Sequence, residues 1–131
     1  MDRQGFPRYL PLHMQSLKRQ IVDVCHEMDR RQFVANHDGN VSVRVGDDLF
    51  LATPTSFAKR SIRESDILLI DFEGKVIEGA HRVFSEWKLH RTIYELCEDV
   101  TAVCHAHPPY ATAWGLTQKQ LEYPAIPEAL V

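Results

Sequence analysis

The order of apolar and polar positions along the chain predicts one long helix followed by shorter elements. Between residues 13 and 33, apolar side chains recur at three- and four-residue steps with charges between them, as on an amphipathic helix. Residues 1–12 contain Gly5, Pro7 and Pro11 and predict an irregular lead-in.

A β-hairpin is the clearest element after this helix. Residues 35–40 are turn formers and predict a loop. Residues 41–45 then alternate apolar and polar side chains, Gly46-Asp47-Asp48 predicts a tight turn, and the apolar residues 49–52 predict the returning strand.

The rest of the chain predicts three more strands and two more helices. Ser85 has the character of an N-cap for a helix that runs to about Cys97. Two adjacent prolines favour the opening of a last helix over 108–114. Short apolar runs predict strands at 67–71 (buried), 76–79 (edge-like) and 101–104 (buried).

Length and charge exclude several functional classes. A chain of 131 residues predicts a single domain, residues 1–131. The net charge is −3, and the basic pairs Arg30-Arg31 and Lys59-Arg60 are interpreted as solvated surface, so nothing favours nucleic acid as a partner. No apolar run approaches the ~18–20 residues of a membrane span, and no secretory signal is visible.

The cysteines indicate a reducing compartment. Cys25, Cys97 and Cys104 are odd in number and widely spaced, which argues against a disulfide framework and predicts a cytoplasmic protein. Cys25 and Cys97 are interpreted as small apolar residues on helices. Cys104 precedes a histidine on a strand and should face the opposite side of the sheet, in the core.

Two histidines carry the strongest chemical signal. His105 and His107 follow a strand at a spacing of two, which predicts imidazoles on one face, able to bind zinc, copper, iron or nickel. Glu86 at a helix start adds a carboxylate, and a metal with a carboxylate can remove a proton from carbon and stabilise the anion. His90, four residues after Glu86, is a weaker candidate as third ligand or as partner of Glu86. Surface histidines or hydrogen-bonded core histidines would give the same pattern.

A second group of residues has the character of an anion site. Its members are small or hydroxylated residues in loops or at a helix start: Gly39, Asn40, Thr55, Ser56 and Ser85. Each alone is more typical of a turn or a cap than of a binding site. Only their convergence would make a binding site.

In this order, the motifs resemble the class II aldolase/adducin family, of the fuculose-phosphate aldolase type. The resemblance runs from about Leu17 to Val131 and rests on residues 39–44, 53–55, 85–90 and 103–107, with 71–75 and 123–127 in support. It implies an α/β fold, an α/β/α sandwich around a mainly antiparallel central sheet, incomplete at the C-terminus.

The resemblance also implies a function. The family cleaves a small sugar or sugar phosphate by a metal-dependent aldol reaction, a lyase activity that passes through an enediolate stabilised by zinc. His105 and His107 would be the Zn²⁺ ligands and Glu86 the proton-transferring carboxylate. The residues around the substrate phosphate would be Gly39, Asn40, Thr55, Ser56 and Ser85. A homotetramer is implied as well.

The chain departs from the family pattern at two points. The family's third metal-binding histidine lies further downstream and no histidine follows His107, so we expect weak zinc binding. The phosphate loops read Thr55-Ser56 and Phe84-Ser85 where the family has Thr-Gly and Ser-Ser. Two alternatives therefore stay open: a dehydratase of the methylthioribulose-phosphate type on the same scaffold, or a non-catalytic module, adducin-like or truncated, that only assembles.

Overall fold

A computed structural model of the chain describes residues 10–117 and 119–120. Among these residues, no helix is both long enough and apolar enough to cross a membrane. Two single 3₁₀ turns, Lys59–Ser61 and Glu64–Asp66, link the hairpin to the next strand. The helices and strands are α1 (Leu10–Arg30), β1 (Asn40–Gly46), β2 (Leu49–Ala52), β3 (Leu68–Asp71), β4 (Val76–Glu78), α2 (Trp87–Leu96), β5 (Ala102–His105) and α3 (Pro109–Leu116).

Most predicted elements are present, with corrected ends. Helix α1 begins at Leu10, inside the expected lead-in, and ends at Arg30 because Gln32 takes a left-handed conformation with φ 58°. Helix α2 begins at Trp87 with Glu86 at its N-cap, so the prediction that Ser85 caps it was wrong. The motif at 123–127 lies outside the described residues.

The five strands form one antiparallel sheet in the order β4-β3-β2-β1-β5. The predicted hairpin is confirmed, with Val43 opposite Leu51. Strand β5 pairs with β1, and Asn40 lies opposite His105. The edge character of β4 is also confirmed, whereas the prediction that β5 is a buried strand was wrong, because it forms the other edge.

Helices cover both faces of the sheet, because alternate strand residues point to opposite sides. One cluster contains α1 residues and the strand residues facing them, among them Ile21, Cys25, Met28, Val41, Leu51 and Leu69. The other contains α2 residues and the strand residues facing them, among them Phe50, Leu68, Ile70, Phe84, Trp87 and Tyr94. The expected helix–sheet–helix layering around a mainly antiparallel sheet is therefore confirmed.

The three cysteines are free thiols in different surroundings. Cys25 is fully buried, as predicted, and burial raises the pKa of its thiol to about 12. Cys104 turns away from the histidines as predicted, toward Met28 Sδ at 3.5 Å, but it is exposed rather than in the core, because β5 is an edge strand. Cys97, interpreted as a small apolar residue on a helix, is exposed and lies at the C-cap of α2.

Lys59 is a buried cation where the sequence predicts a solvated one. Its side chain is only 1% exposed, and Nζ donates to the carbonyls of His37 at 3.4 Å and Phe57 at 3.1 Å. Burial lowers the pKa of this amine. Lys59 therefore links the loop before β1 to the loop after β2.

Gly39 occupies a position that no other residue fits without strain. It has φ +72°, and a Cβ there would lie 2.6 Å from Val34 Cγ1 and 2.8 Å from the His105 carbonyl oxygen. Absence of a side chain lets the loop before β1 approach the backbone at the end of β5.

We expect Gly39→Ala to lower the free energy of unfolding by about 2 kcal/mol or more, because it combines a left-handed backbone with overpacking. Urea denaturation monitored by circular dichroism measures this loss. Gly46→Ala is the matched control, since a Cβ there would meet its nearest atom, Leu49 Cβ, at 3.4 Å. Equal stability of the two variants would contradict the prediction.

Candidate active site

The candidate residues gather at one end of the sheet. One end of the sheet brings together the start of β1 and the ends of β2 and β5, because neighbouring strands run antiparallel. The Thr53 N–H donates to the Val41 carbonyl at 3.0 Å, and Asn40 lies opposite His105. The loops that leave these strand ends can therefore share one site.

Glu86, His105 and His107 come together at this end. One potential ligand atom from each lies within 4.8 Å of the others. The two Nε2 atoms of the imidazoles are 3.1 Å apart, and His105 Nδ1 is 3.2 Å from Glu86 Oε2. That second pair is not aligned for a hydrogen bond, so within the described part of the chain His105 Nδ1 is buried without a hydrogen-bond partner.

His107 reaches the site from beyond the strand. Strand β5 ends at His105, and the His107 N–H donates to the Phe33 carbonyl at 2.8 Å. The Asp38 carboxylate lies 3.9 Å from His107 Nδ1, on the side of the ring away from His105. Metal-binding imidazoles commonly donate their second N–H to a carboxylate, and Asp38 lies on that side of the ring, although 3.9 Å is too long for a hydrogen bond. Sequence reasoning missed Asp38, whose only local signal is that of a turn former.

Glu86 is hydrogen-bonded to the protein on one side and exposed to solvent on the other. Its side chain is 44% exposed, and Oε2 accepts a hydrogen bond from Asn40 Nδ2 at 2.7 Å. It sits at the N-cap of α2 without making a side-chain capping bond, so its carboxylate remains directed to the site.

His90 lies in the core rather than in the candidate metal group. It is fully buried, Nε2 contacts Asn40 Oδ1 at 2.6 Å, and Nδ1 contacts Ser42 Oγ at 2.8 Å. Burial, with a smaller contribution from His105, lowers the pKa of His90 to about 4. Of the two roles considered from the sequence, a third metal ligand is excluded by these bonds. A link to Glu86 remains, through Asn40.

The residues of the predicted anion site are neighbours, but not all of them are free. A bridge between Pro54 and Val83 joins two of their loops, and the Thr55 N–H donates to the Arg82 carbonyl at 2.9 Å. Ser56 is exposed with φ 62°, in the region that favours glycine, and Ser85 is exposed beside Glu86.

Two residues in and beside this set have other contacts. Asn40 is only 3% exposed, and both ends of its amide are engaged, by Glu86 and His90. Phe84, which stands where the family's phosphate loop has serine, is buried, with its ring centroid 4.7 Å from that of His90. The aromatic ring therefore lies in the core and does not obstruct the loop.

The donor set fits a divalent transition metal. Two imidazoles and a carboxylate are ligands that zinc accepts, and three protein ligands leave a position open for substrate or water. Two nitrogens bound to one tetrahedral zinc ion lie about 3.3 Å apart at ordinary bond lengths, close to the 3.1 Å between the two Nε2 atoms. One imidazole offers one nitrogen to one ion, and His105 has Nε2 toward His107 and Nδ1 toward Glu86; among the described residues Nδ1 is buried without a hydrogen-bond partner.

The sequence of this chain is similar to those of known proteins. Residues 19–130 match the family described as the class II aldolase and adducin N-terminal domain. The L-fuculose phosphate aldolase of Escherichia coli K12 is 40% identical over 110 residues, which are 84% of this chain and 49% of that protein. The protein of the same name from Methanocaldococcus jannaschii is 35% identical over 105 residues, 80% of this chain and 56% of that one.

The fold of this chain is similar to those of solved aldolase structures. The L-fuculose 1-phosphate aldolase from Glaciozyma antarctica aligns with a TM-score of 0.77 and 26% identity, over 88% of this chain and 50% of that chain. The l-fuculose-1-phosphate aldolase from Thermus thermophilus aligns with a TM-score of 0.71 and 27% identity, over 87% and 57%. The chain thus has the fold of these enzymes and spans about half the length of the curated relatives that it matches.

The buried His90 predicts a pH dependence of stability. The unfolded chain binds this proton near the ordinary pKa of 6.5, whereas the folded protein binds it only near 4. Lowering the pH through this window therefore favours the unfolded chain, by at most about 1.4 kcal/mol per pH unit. We expect His90→Gln to lose this part of the acid sensitivity, measured by urea unfolding at about pH 7 and about pH 5.

The exposed His13→Gln is the matched control for this experiment and should retain the wild-type pH dependence. A stability difference between wild type and His90→Gln that stays constant over the two pH values would contradict the prediction.

Proposed function

This chain belongs to the class II aldolase and adducin family, and we propose that it carries the metal-binding and proton-transferring half of an aldolase-type lyase site. The observation that carries the proposal is the convergence of Glu86, His105 and His107, whose ligand atoms lie within 4.8 Å of one another. The whole protein's reaction would be aldol cleavage of a small sugar phosphate.

His105 and His107 would hold a divalent ion, which we propose to be zinc, with Glu86 beside it. The chemistry that a bound zinc ion supplies at such a site is Lewis-acid polarisation of substrate oxygens. Asp38 would keep the His107 ring in place from its far side, 3.9 Å from Nδ1. Family membership supports a divalent metal in general, and the nitrogen and oxygen donors favour zinc in particular.

Glu86 would transfer the proton. Retro-aldol cleavage breaks the bond between the α- and β-carbons of a β-hydroxy ketone: the β-hydroxyl gives up its proton and becomes the aldehyde carbonyl, and the α-carbon becomes an enediolate. A carboxylate that has taken up a proton can return it to that carbon. The partial exposure of the Glu86 side chain gives a substrate access, while Asn40 fixes one carboxylate oxygen at 2.7 Å. Glu86 is therefore both anchored and reachable.

The substrate would carry a phosphate. The relatives are named for L-fuculose phosphate, and the adjoining loops with Thr55, Ser56 and Ser85 offer hydroxyls and backbone N–H groups at the same end of the sheet. Gly39 would contribute the close backbone approach of its loop. A reducing cytoplasm suits the three free thiols.

We also propose that copies of the chain associate. The outer edge of β5 has no strand partner among the described residues. Nearby α3 exposes large apolar side chains, with Tyr110 92% and Leu116 82% exposed. An open strand edge beside exposed apolar surface favours pairing with another chain, so this open edge is the specific observation that favours an assembly role.

We expect the purified chain to bind zinc. The zinc-loaded chain should release dihydroxyacetone phosphate from L-fuculose 1-phosphate, and a coupled reductase assay measures this release. His105→Ala should lose both the zinc, measured by metal analysis, and the activity, because a ligand is removed. Glu86→Gln should keep most of the zinc but lower turnover about 10²–10⁴-fold, the usual contribution of a positioned acid or base.

The exposed His13→Ala is the matched control and should change neither zinc content nor turnover. Retained turnover in Glu86→Gln would refute its proton-transferring role. A folded wild-type chain that binds no zinc would refute the metal site and favour the assembly role.

We expect sedimentation velocity to show oligomers that dissociate on dilution. Leu116→Glu should raise the dissociation constant about tenfold or more, because it places a charge in the proposed interface. Leu96→Glu is the matched control, since Leu96 is 78% exposed but lies on α2. A wild-type chain that stays monomeric at all concentrations would contradict self-association.

A further inference from the structure

A row of buried polar side chains leads from the core to Glu86. It contains residues of β1 and α2 in the order Tyr94, Ser42, His90, Asn40. Each of them is at most 3% exposed. The contacts along the row are 2.8 Å from Tyr94 Oη to Ser42 Oγ, 2.8 Å from Ser42 Oγ to His90 Nδ1, 2.6 Å from His90 Nε2 to Asn40 Oδ1, and 2.7 Å from Asn40 Nδ2 to Glu86 Oε2.

The chemistry of each group fixes the direction of these bonds. An amide NH₂ only donates and an amide oxygen only accepts, so Asn40 Nδ2 donates to Glu86 Oε2 and Asn40 Oδ1 accepts from His90 Nε2–H. A neutral imidazole with its proton on Nε2 accepts at Nδ1, so the Ser42 hydroxyl donates there. The single Tyr94 hydroxyl proton then has two acceptors in reach, the Ser42 carbonyl at 3.0 Å, to which it donates, and Ser42 Oγ at 2.8 Å.

The surroundings of His90 keep it in this state. Phe84 and Trp87 cover the imidazole, with ring centroids at 4.7 Å and 6.3 Å. Burial lowers its pKa to about 4, so it is uncharged at neutral pH. The neutral ring has one donor and one acceptor, and both are used inside the row.

We propose that Tyr94, Ser42, His90 and Asn40 form a positioning row that fixes the Asn40 amide and, through it, the Glu86 carboxylate next to the two imidazoles. On this proposal Asn40 is a positioning residue of Glu86. His90 acts through Asn40 and touches neither metal nor substrate. The proposal rests on the proposed function for the role of Glu86 in proton transfer, but the row itself does not.

The row has a physical reason to be needed. Glu86 is a half-exposed residue at a helix end, where a carboxylate can take several rotamers. The Asn40 amide is buried and hydrogen-bonded at both ends, so its bond to Glu86 restricts the carboxylate to one rotamer. Misplacing a reacting group by about 1 Å can cost about 10²-fold in rate. Fixing the Glu86 carboxylate avoids this loss, which is a reason for the protein to bury these polar side chains.

A matched pair of substitutions at His90 tests the proposal. Gln places an amide N–H near the position of Nε2–H and can still donate to Asn40, whereas Leu has a similar size but no donor. We expect His90→Leu to lower kcat about 10- to 100-fold with KM for the sugar phosphate changed less than about threefold. We expect His90→Gln to recover most of the loss, and Thr92→Ala, on α2 outside the row, to match the wild type.

A second measurement does not depend on activity. ¹⁵N NMR of the metal-free wild-type chain at neutral pH should show His90 as the neutral Nε2–H tautomer and the Asn40 side-chain amide as protected from exchange. In His90→Leu this protection should be lost while circular dichroism remains that of a folded protein.

The outcomes are distinguishable. An Nδ1–H tautomer of His90, or an unprotected Asn40 amide in the wild type, overturns the positioning row whatever the activity. An increase in KM alone in His90→Leu also overturns it, because that result would mark a substrate-binding role. Absence of lyase activity in every variant, with the expected NMR signals, refutes the proposed function and leaves the row in place.

Discussion

The antiparallel register that sets Asn40 opposite His105 is the constraint on which the site depends. Side chains alternate between faces along a strand, so a slip of one residue would send either group to the α1 side of the sheet. In the observed register, Asn40 and His105 lie on the α2 side with Glu86, while Val41 and Cys104 face α1. Gly39 permits this pairing, because its loop passes within van der Waals contact of the His105 carbonyl.

The contact between β1 and α2 depends on two matching repeats. Four residues of a helix advance about 6 Å and two residues of a strand about 6.6 Å. Glu86, His90 and Tyr94 recur every four residues on α2, and Asn40 and Ser42 recur every two on β1. The two rows therefore stay in step, and every buried polar group in them finds a partner. Removing one partner would leave another unsatisfied in the core, which costs more than the bond itself contributes.

The end of the sheet combines a rigid base with an open surface. Below the site, Phe84, Trp87 and Phe50 pack around the polar row, and the buried Lys59 ties the loops on the other side of β1. Above it, Glu86 and His107 are both more than two-fifths exposed on their side chains. Such a site holds its ligands from below and admits a metal or a substrate from above. Phe84, which departs from the family's phosphate-loop pattern, belongs to the base.

Local pattern alone determined the hairpin, the edge strand β4 and the existence of α1, α2 and α3, because each depends on periodicity and turn residues within a short window. Spacing and position in the predicted elements made Glu86, His105 and His107 candidates, and the resemblance assigned their roles. Only the tertiary structure decided that β5 is an edge, that Lys59 is buried, and that His90 and Asn40 support Glu86. The hydrogen bonds of the polar row join residues that are 46 to 52 positions apart in the sequence. A sequence pattern predicts which side chains share a face of a helix or strand, but not which residues that face contacts.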